Sequence, residues 1–235
     1  MKAKKILIVV DMQNDFIDGA LGSKEAVTIV DKVAEKIKAA EDEGALVLFT
    51  RDTHGEDYMA TEEGKNLPVP HCIERSAGWQ ISEKIPYPQN SRSFDKFTFG
   101  SMDLGSFLKE LVSAPERVEL VGLCTDICVL SNAVIAKAAL PNAHIVVDAA
   151  CCAGVSPASH DTALAAMKAI QVEIVNQVSE PWRNNWGVLI NSLSPSSRVL
   201  TVPAALTNPR HSTAMPPVCR LAMDSQSPQI WAKFI

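Results

Sequence analysis

The stretch Leu120-Val121-Gly122-Leu123-Cys124-Thr125-Asp126-Ile127-Cys128-Val129 follows a short aliphatic run and leads into an apolar-periodic run at 129–139. It reads as a strand turning directly into a helix. Asp126 has N-cap chemistry, and so does Thr125, which puts Cys128 in the first helical turn. There the unpaired backbone N–H groups and the helix dipole favour an anion. A thiol so placed is expected to have a lowered pKa and more thiolate. Most free cysteines are instead small buried hydrophobes, so the rest of the chain must decide which Cys128 is.

Working outward, the strand-then-helix pattern repeats. Lys5–Val10 is a continuous apolar run ending at Asp11, as expected of a strand buried on both faces of a parallel sheet. Residues 25–43 carry Val27, Val30, Val33, Ile37 and Ala40 at helical spacing. A second buried strand, 45–50, runs straight into Arg51-Asp52-Thr53-His54. Residues 56–91 have weak periodicity and several prolines and read as a long excursion. A third strand is expected at 93–97, carrying Lys96, then a helix at 102–112, a strand at 117–123 and its helix at 126–139. A strand at 143–149, a helix at 156–170 with Pro157 in its first turn, and a strand at 172–175 complete the series. This alternation implies an α/β fold, a three-layer, doubly wound six-stranded parallel sheet with right-handed crossovers. In such sheets ligands bind beyond the carboxyl ends of the strands, where the strand order reverses. Asp11, Asp52, Lys96 and the Cys124–Cys128 stretch all fall at or near strand ends.

The chain's 235 residues suit one domain plus extras, and a hydrophobic fraction of 47% is ample for a core. A net charge of -5 and a pI near 5.6 argue against nucleic-acid or basic membrane-surface partners. The first apolar run is too short, and too soon followed by charge, for a signal peptide or membrane span. Six cysteines, two of them the adjacent Cys151-Cys152, lack the density of a disulfide framework, so a reducing cytoplasm is the expected setting. From about residue 178 the character changes: 178–235 holds seven of the 14 prolines and no long periodic pattern. The expected organisation is a domain at 1–177 and an irregular, Pro-rich C-terminal tail at 178–235, with short docked pieces around 182–193. A second small domain is the alternative.

A cysteine hydrolase needs a thiolate, a group that takes and returns its proton, and a means of stabilising negative charge. Asp11 follows five apolar residues, so burial would raise its pKa and suit it to proton transfer. Lys96 would favour the thiolate of Cys128 and balance the carboxylate. Taken singly, Asp11 also reads as a loop cap and Lys96 as a solvated lysine. Asp52, His54 and His71 form one carboxylate and two imidazoles, a set that leaves open positions on Zn²⁺, Fe²⁺ or Mn²⁺. The D-x-H spacing puts Asp52 and His54 on one side of an extended segment. Cys72 is a possible further ligand or a packed thiol.

These segments together resemble the nicotinamidase-related cysteine hydrolases of the isochorismatase-like superfamily. The match runs through Val9-Val10-Asp11-Met12-Gln13-Asn14-Asp15-Phe16, Asp52-Thr53-His54 with Pro70-His71-Cys72, Asp95-Lys96, and Gly122 through Val129; Val147-Asp148-Ala149 through His160 follows the family's late segment. The resemblance implies a catalytic triad of Asp11, Lys96 and Cys128. It implies a divalent metal, usually zinc, held by Asp52, His54 and His71. It implies an oxyanion hole from the backbone N–H groups of Cys124 and Cys128, with a cis peptide between Leu123 and Cys124. Gln13 and Phe16 are the expected substrate-binding residues, and Tyr58, Trp79 or Phe99 could also offer a stacking face. The implied activity is amide hydrolysis on a small planar amide, nicotinamide first. Another small amide, such as a ureide or carbamoyl compound, is the alternative, and a non-catalytic binding protein on this scaffold a third. A homo-oligomer is implied by the resemblance alone. Two positions depart from the nicotinamidase pattern: Pro68 stands where those enzymes commonly carry a stacking tryptophan, and Asp57-Tyr58-Met59-Ala60 where they often carry a further histidine.

Overall fold

The computed structural model describes residues 4–183. Six parallel strands form one sheet: β1 (Lys5–Val10), β2 (Leu46–Asp52), β3 (Arg92–Lys96), β4 (Arg117–Leu123), β5 (His144–Ala153) and β6 (Glu173–Val175). Their order is β3-β2-β1-β4-β5-β6. The chain winds outward from β1 in one direction, then starts again at β4 and winds outward in the other. The reversal therefore lies between β1 and β4, the two strands whose ends carry Asp11 and Cys124.

The pleat of β1 explains the two cores. Ile6, Ile8 and Val10 face one side, where they pack with Leu104 and Leu108 of α4 (Met102–Lys109), Ala133 and Ala136 of α5 (Leu130–Ala139), and Leu164 and Met167 of α6 (Pro157–Ala169). Leu7 and Val9 face the other, against Ile29, Val30, Val33 and Ile37 of α2 (Lys24–Asp42) and Phe16 and Ile17 of α1 (Asn14–Ile17). Both faces are covered, as an all-apolar parallel strand requires. Ser23 caps α2 by accepting from the Ala26 amide. Ser156 and Ser159 form a reciprocal capping box at α6, with Pro157 at its first position.

The expected six strands and three layers are those observed. The second strand runs on to Asp52, and the fifth runs four residues past 149, through the Cys151-Cys152 pair. The 126–139 helix is two pieces: a π-helical turn at Thr125–Val129, then α5. Val27, read as part of the buried stripe of α2, is exposed, and Ile29 fills that role. The excursion holds a 3-10 turn at Tyr58–Ala60 and the short α3 (Glu62–Asn66), capped by Thr61. Of the tail, residues 178–183 are described; Glu180 is buried, and Trp182 packs into the core on the α2 side of the sheet. The expectation for 184–235 lies outside the described residues. No helix among the described residues is long and apolar enough to cross a membrane.

Candidate active site

Four successive strands end at one rim. Asp11 follows β1, Asp52 closes β2, Lys96 closes β3 and Cys124 follows β4. Asp52 and Lys96 are register partners on adjacent strands, which sets their side chains next to each other. Gly122 makes the approach possible: its φ is +118°, and a Cβ there would lie 2.1 Å from the Val10 carbonyl oxygen. The Leu123-Cys124 peptide is cis. Asp11 itself has φ +46°, a left-handed conformation uncommon for a non-glycine residue and frequent at functional sites.

The structure brings Asp11, Lys96 and Cys128 together. Lys96 Nζ lies 2.8 Å from Asp11 Oδ2 and 2.9 Å from Asp52 Oδ1. It also lies 3.5 Å from Cys128 Sγ. Thr50 Oγ1 donates to the other Asp11 oxygen at 2.7 Å. All of these groups are buried. Burial lifts the Asp11 carboxyl above its ordinary value, with Lys96 opposing and the Asp52 charge adding to the rise. Burial also acts on Asp52, yet Lys96 and the hydrogen bonds from His54 and His71 hold its carboxyl below the usual range. Burial alone would lower Lys96, but Asp11, Cys128 and Asp52 raise it well above 10.5. The expected lowering of Cys128 is not found. Burial pushes its thiol up and Lys96 only partly offsets this, so the resting group is a thiol. The local dipole argument fails because Cys128 is the fourth residue of a π-helical turn inside the core, not an exposed first-turn residue.

Asp52 is shared with a second cluster. Its Oδ2 lies 2.9 Å from His54 Nε2 and 3.4 Å from His71 Nε2. His54 reaches this place because its N–H bonds the Cys72 carbonyl and its own carbonyl accepts from Glu74, pairing the two loops. Asp15 pins the second loop by accepting from the Cys72 amide at 2.7 Å. His71 Nδ1 donates to the Val69 carbonyl at 2.8 Å, which turns Nε2 toward the cluster, as a donor to Asp52 or, with an ion bound, as that ion's ligand. Glu63 of α3 completes the group, its Oε1 3.6 Å from His54 Nε2 and 3.7 Å from His71 Nε2. One ligand atom from each of Asp52, His54, Glu63 and His71 lies within 4.8 Å of the others. Two carboxylates and two imidazoles with converging lone pairs fit a divalent ion of the zinc, iron or manganese type. Glu63 was missed by sequence reading. Its one signal was the helix-starting Thr61-Glu62-Glu63 lying between the two histidines. Cys72 is not in the group; it is fully buried, packed under the sheet.

A cavity of about 400 Å³ opens over Cys128. Phe16, Leu67, Phe99 and Ile127 give it apolar walls, Asp52, Glu63 and His71 one polar edge, and Cys124 and Cys128 the floor. Phe16 and Phe99 thus offer flat faces. Tyr58 and Trp79 do not: Tyr58 donates to the Leu67 carbonyl and packs on both imidazoles, and Trp79 donates to Thr53 under the Arg51 guanidinium. Gln13, expected to bind substrate, is fully buried and does not line the cavity: its amide donates to the Asp52 and Trp79 carbonyls while its oxygen accepts from the Asp52 amide. The capping roles expected of Thr125 and Asp126 are also replaced: Asp126 accepts from the Val155 amide and Thr125 pairs with His160. Asn132, one turn past Cys128, donates to the Cys128 and Phe99 carbonyls and accepts from the Ser101 amide, fastening the Cys128-bearing turn to the wall loop.

The Isochorismatase domain family matches residues 5–178. A nicotinamidase/pyrazinamidase of Mycobacterium tuberculosis is 25% identical over 187 residues, 73% of this chain and 98% of its own. A protein of Arabidopsis thaliana named as a probable inactive nicotinamidase is 29% identical over 181 residues, 71% of this chain and 89% of its own. The crystal structure of the pyrazinamidase of Pyrococcus horikoshii in complex with zinc superposes with a TM-score of 0.65 at 29% identity, covering 73% of this chain and 98% of that one.

Proposed function

The chain belongs to the isochorismatase family and is a hydrolase acting on amide C–N bonds; from that premise we propose that it cleaves a small planar amide, nicotinamide first among candidates, to the acid and ammonia through a thioester on Cys128. The observation that carries this reading is the position of Lys96 Nζ, 2.8 Å from Asp11 Oδ2 and 3.5 Å from Cys128 Sγ, with Cys128 itself lining an apolar-walled cavity. A protonated thiol beside a buried carboxylate suits transfer at the moment of attack. Asp11 takes the Cys128 proton while Lys96 keeps the charge balanced. Sulfur bonds to the carbonyl carbon, and the amides of Cys124 and Cys128 receive the oxyanion, each such donor being worth about 3–4 kcal/mol. Asp11 returns the proton to the departing nitrogen, which leaves as ammonia. Water, losing a proton to Asp11, opens the thioester and restores the thiol.

Asp52, His54, Glu63 and His71 would hold a divalent metal, zinc by preference. When bound, that ion supplies a Lewis-acid position for a ring nitrogen or a water. Phe16 and Phe99, both lining the cavity, supply apolar walls for a flat substrate. A second reading, a ureide or carbamoyl substrate handled by the same triad, draws on Pro68, which stands where nicotinamidases commonly carry a stacking tryptophan. The test is a panel of small amides scored by ammonia release, with acid-quenched intact mass to trap the thioester. Nicotinamide is expected to turn over, and Cys128→Ala to lose at least about a thousandfold in kcat with its circular dichroism unchanged. Turnover near wild type in that variant would rule out the mechanism.

A further inference from the structure

Behind the Cys124–Cys128 turn runs a chain of three buried polar side chains. His160 Nδ1 lies 2.8 Å from Thr125 Oγ1, and His160 Nε2 lies 3.1 Å from Glu180 Oε1. Thr125, His160 and Glu180 are each 0% exposed. The hydrogens can be assigned from chemistry. Burial acts to raise the Glu180 carboxyl, but hydrogen bonds from Arg183 hold it below its ordinary value, so it is an acceptor only. His160 Nε2 must then be the donor. Burial lowers His160 as well, which leaves one ring proton, and Nδ1 is an acceptor. The Thr125 hydroxyl must therefore donate to it. Trp182 packs edge-on against the imidazole at 5.1 Å, fixing its plane. The neighbouring Asp161 is bound to the Arg183 guanidinium, which also grips Glu180, so these acids serve an internal cation.

Thr125 directly follows Cys124, whose carbonyl accepts from both the Ile127 and Val129 amides. The turn from Cys124 to Val129 thus moves as a unit, and Thr125 is its attachment point to α6. The other end of the chain, Glu180, lies beyond residue 178, where the family match stops. We propose that the Glu180–His160–Thr125 chain is a positioning device for the oxyanion-binding turn: it aims the Cys124 and Cys128 amides at the carbonyl oxygen and so acts on kcat rather than on substrate binding. This rests on the proposed reading of the cavity as an amidase site.

Thr125→Val keeps the side chain's shape and removes the hydroxyl, Thr125→Ser restores the hydroxyl, and Glu180→Gln removes the charge that sets the His160 tautomer. Three readouts separate positioning from folding: kcat and KM for ammonia release, the rate at which iodoacetamide alkylates Cys128, and the affinity for pyridine-3-carbaldehyde, whose thiol adduct needs the oxyanion donors. Thr125→Val is expected to lower kcat about a hundredfold with KM within about twofold, the scale of a small misplacement of reacting groups. Alkylation should stay near wild type, aldehyde affinity should fall in step with kcat, and Thr125→Ser should recover most of both. Glu180→Gln should fall between. Wild-type kcat in Thr125→Val, equal losses in the Ser and Val variants, or unchanged aldehyde affinity beside a fallen kcat would each overturn the proposal. If the wild-type enzyme releases no ammonia from any amide, the failure belongs to the substrate reading, and aldehyde affinity across the three variants still decides the role of the chain.

Discussion

Two lysines in this protein sit between two carboxylates with nearly the same geometry. Lys96 lies 2.8 and 2.9 Å from Asp11 and Asp52, and Lys36 lies 2.8 and 2.7 Å from Glu119 and Asp148. Distances do not distinguish them. Surroundings do. The Lys96 side chain is 1% exposed and its partners 0% and 5%, while Lys36 is 28% exposed beside a Glu119 that also pairs with Arg117. The Lys96 cradle has a thiol at 3.5 Å and lies where the strand order reverses. The Lys36 cradle joins α2 to the sheet face rather than to that rim, and the Cys151 thiol near it is turned to the Lys32 carbonyl. A lysine between two acids is an ordinary way to fasten a helix to a sheet. Full burial beside a nucleophile, at the rim where ligands bind, separates the candidate site from the fastening.

The sharpest way to break that contrast is to remove each ammonium in turn. Lys96→Met leaves two buried carboxylates without their cation, an uncompensated state that costs about 3–5 kcal/mol. It should also abolish ammonia release. Lys36→Met removes a partly exposed ammonium whose acids keep other partners, Arg117 for Glu119 and the Asn176 side chain and Ala150 amide for Asp148, so it should cost less, about 1 kcal/mol, and leave kcat unchanged. Urea unfolding and ammonia release on both variants test this. Equal destabilisation would mean that burial is not the variable that matters.

The cradles also differ in what their acids do next. Asp52 turns its second oxygen toward His54 and His71, with Glu63 opposite, whereas Asp148 accepts from the Asn176 side chain and the Ala150 amide. Removing one donor by Glu63→Gln should weaken zinc binding by about 10–100-fold, as loss of a supporting group at a metal site typically does. Competition with a chromophoric chelator measures it. Glu119→Gln should leave zinc affinity unaltered. If Glu63→Gln binds zinc as tightly as wild type, Glu63 is only a neighbour of the site.

The parts of the site that could be read from sequence were those where a local signal and a strand end coincide. Asp11, Asp52, Lys96 and Cys124 each close or follow an extended run, so one-dimensional reading put them at one rim. Asp52 and His54 were found because a two-residue step in extended chain keeps both on one side. Glu63 escaped because its place depends on how a weakly periodic excursion folds back, and no spacing rule spans residues 56–91. Thr125 was misread for a related reason. The local rule gave its hydroxyl to a helix N–H, and a histidine 35 residues later claimed it. The Cys128 pKa went wrong in the same direction, since helix-end electrostatics were outweighed by burial that only the packed structure reveals. Gln13 lies within the matching motif, yet its side chain bonds the Asp52 backbone from both ends of the amide, a contact that residue type cannot convey.

The smallest expected effect concerns how each lysine's contribution fades. Lys36 is raised in the folded state above its ordinary 10.5 even though burial opposes the rise, because the hydrogen bonds it donates to Asp148 and Glu119 favour the charged form. A folded pKa above the unfolded one means that the stabilisation is complete below the unfolded value and is lost only as pH climbs through the folded one. The Tm difference between wild type and Lys36→Met should therefore be flat through neutral pH and shrink only above about pH 10.5. At neutral pH it should shrink instead in about 1 M salt, where the screening length falls to about 3 Å. The deficit of Lys96→Met should resist salt, because its cradle is closed to solvent. A Lys36→Met difference that ignores salt would show that the partly exposed cradle is sealed as tightly as the buried one, and exposure would then no longer separate the two.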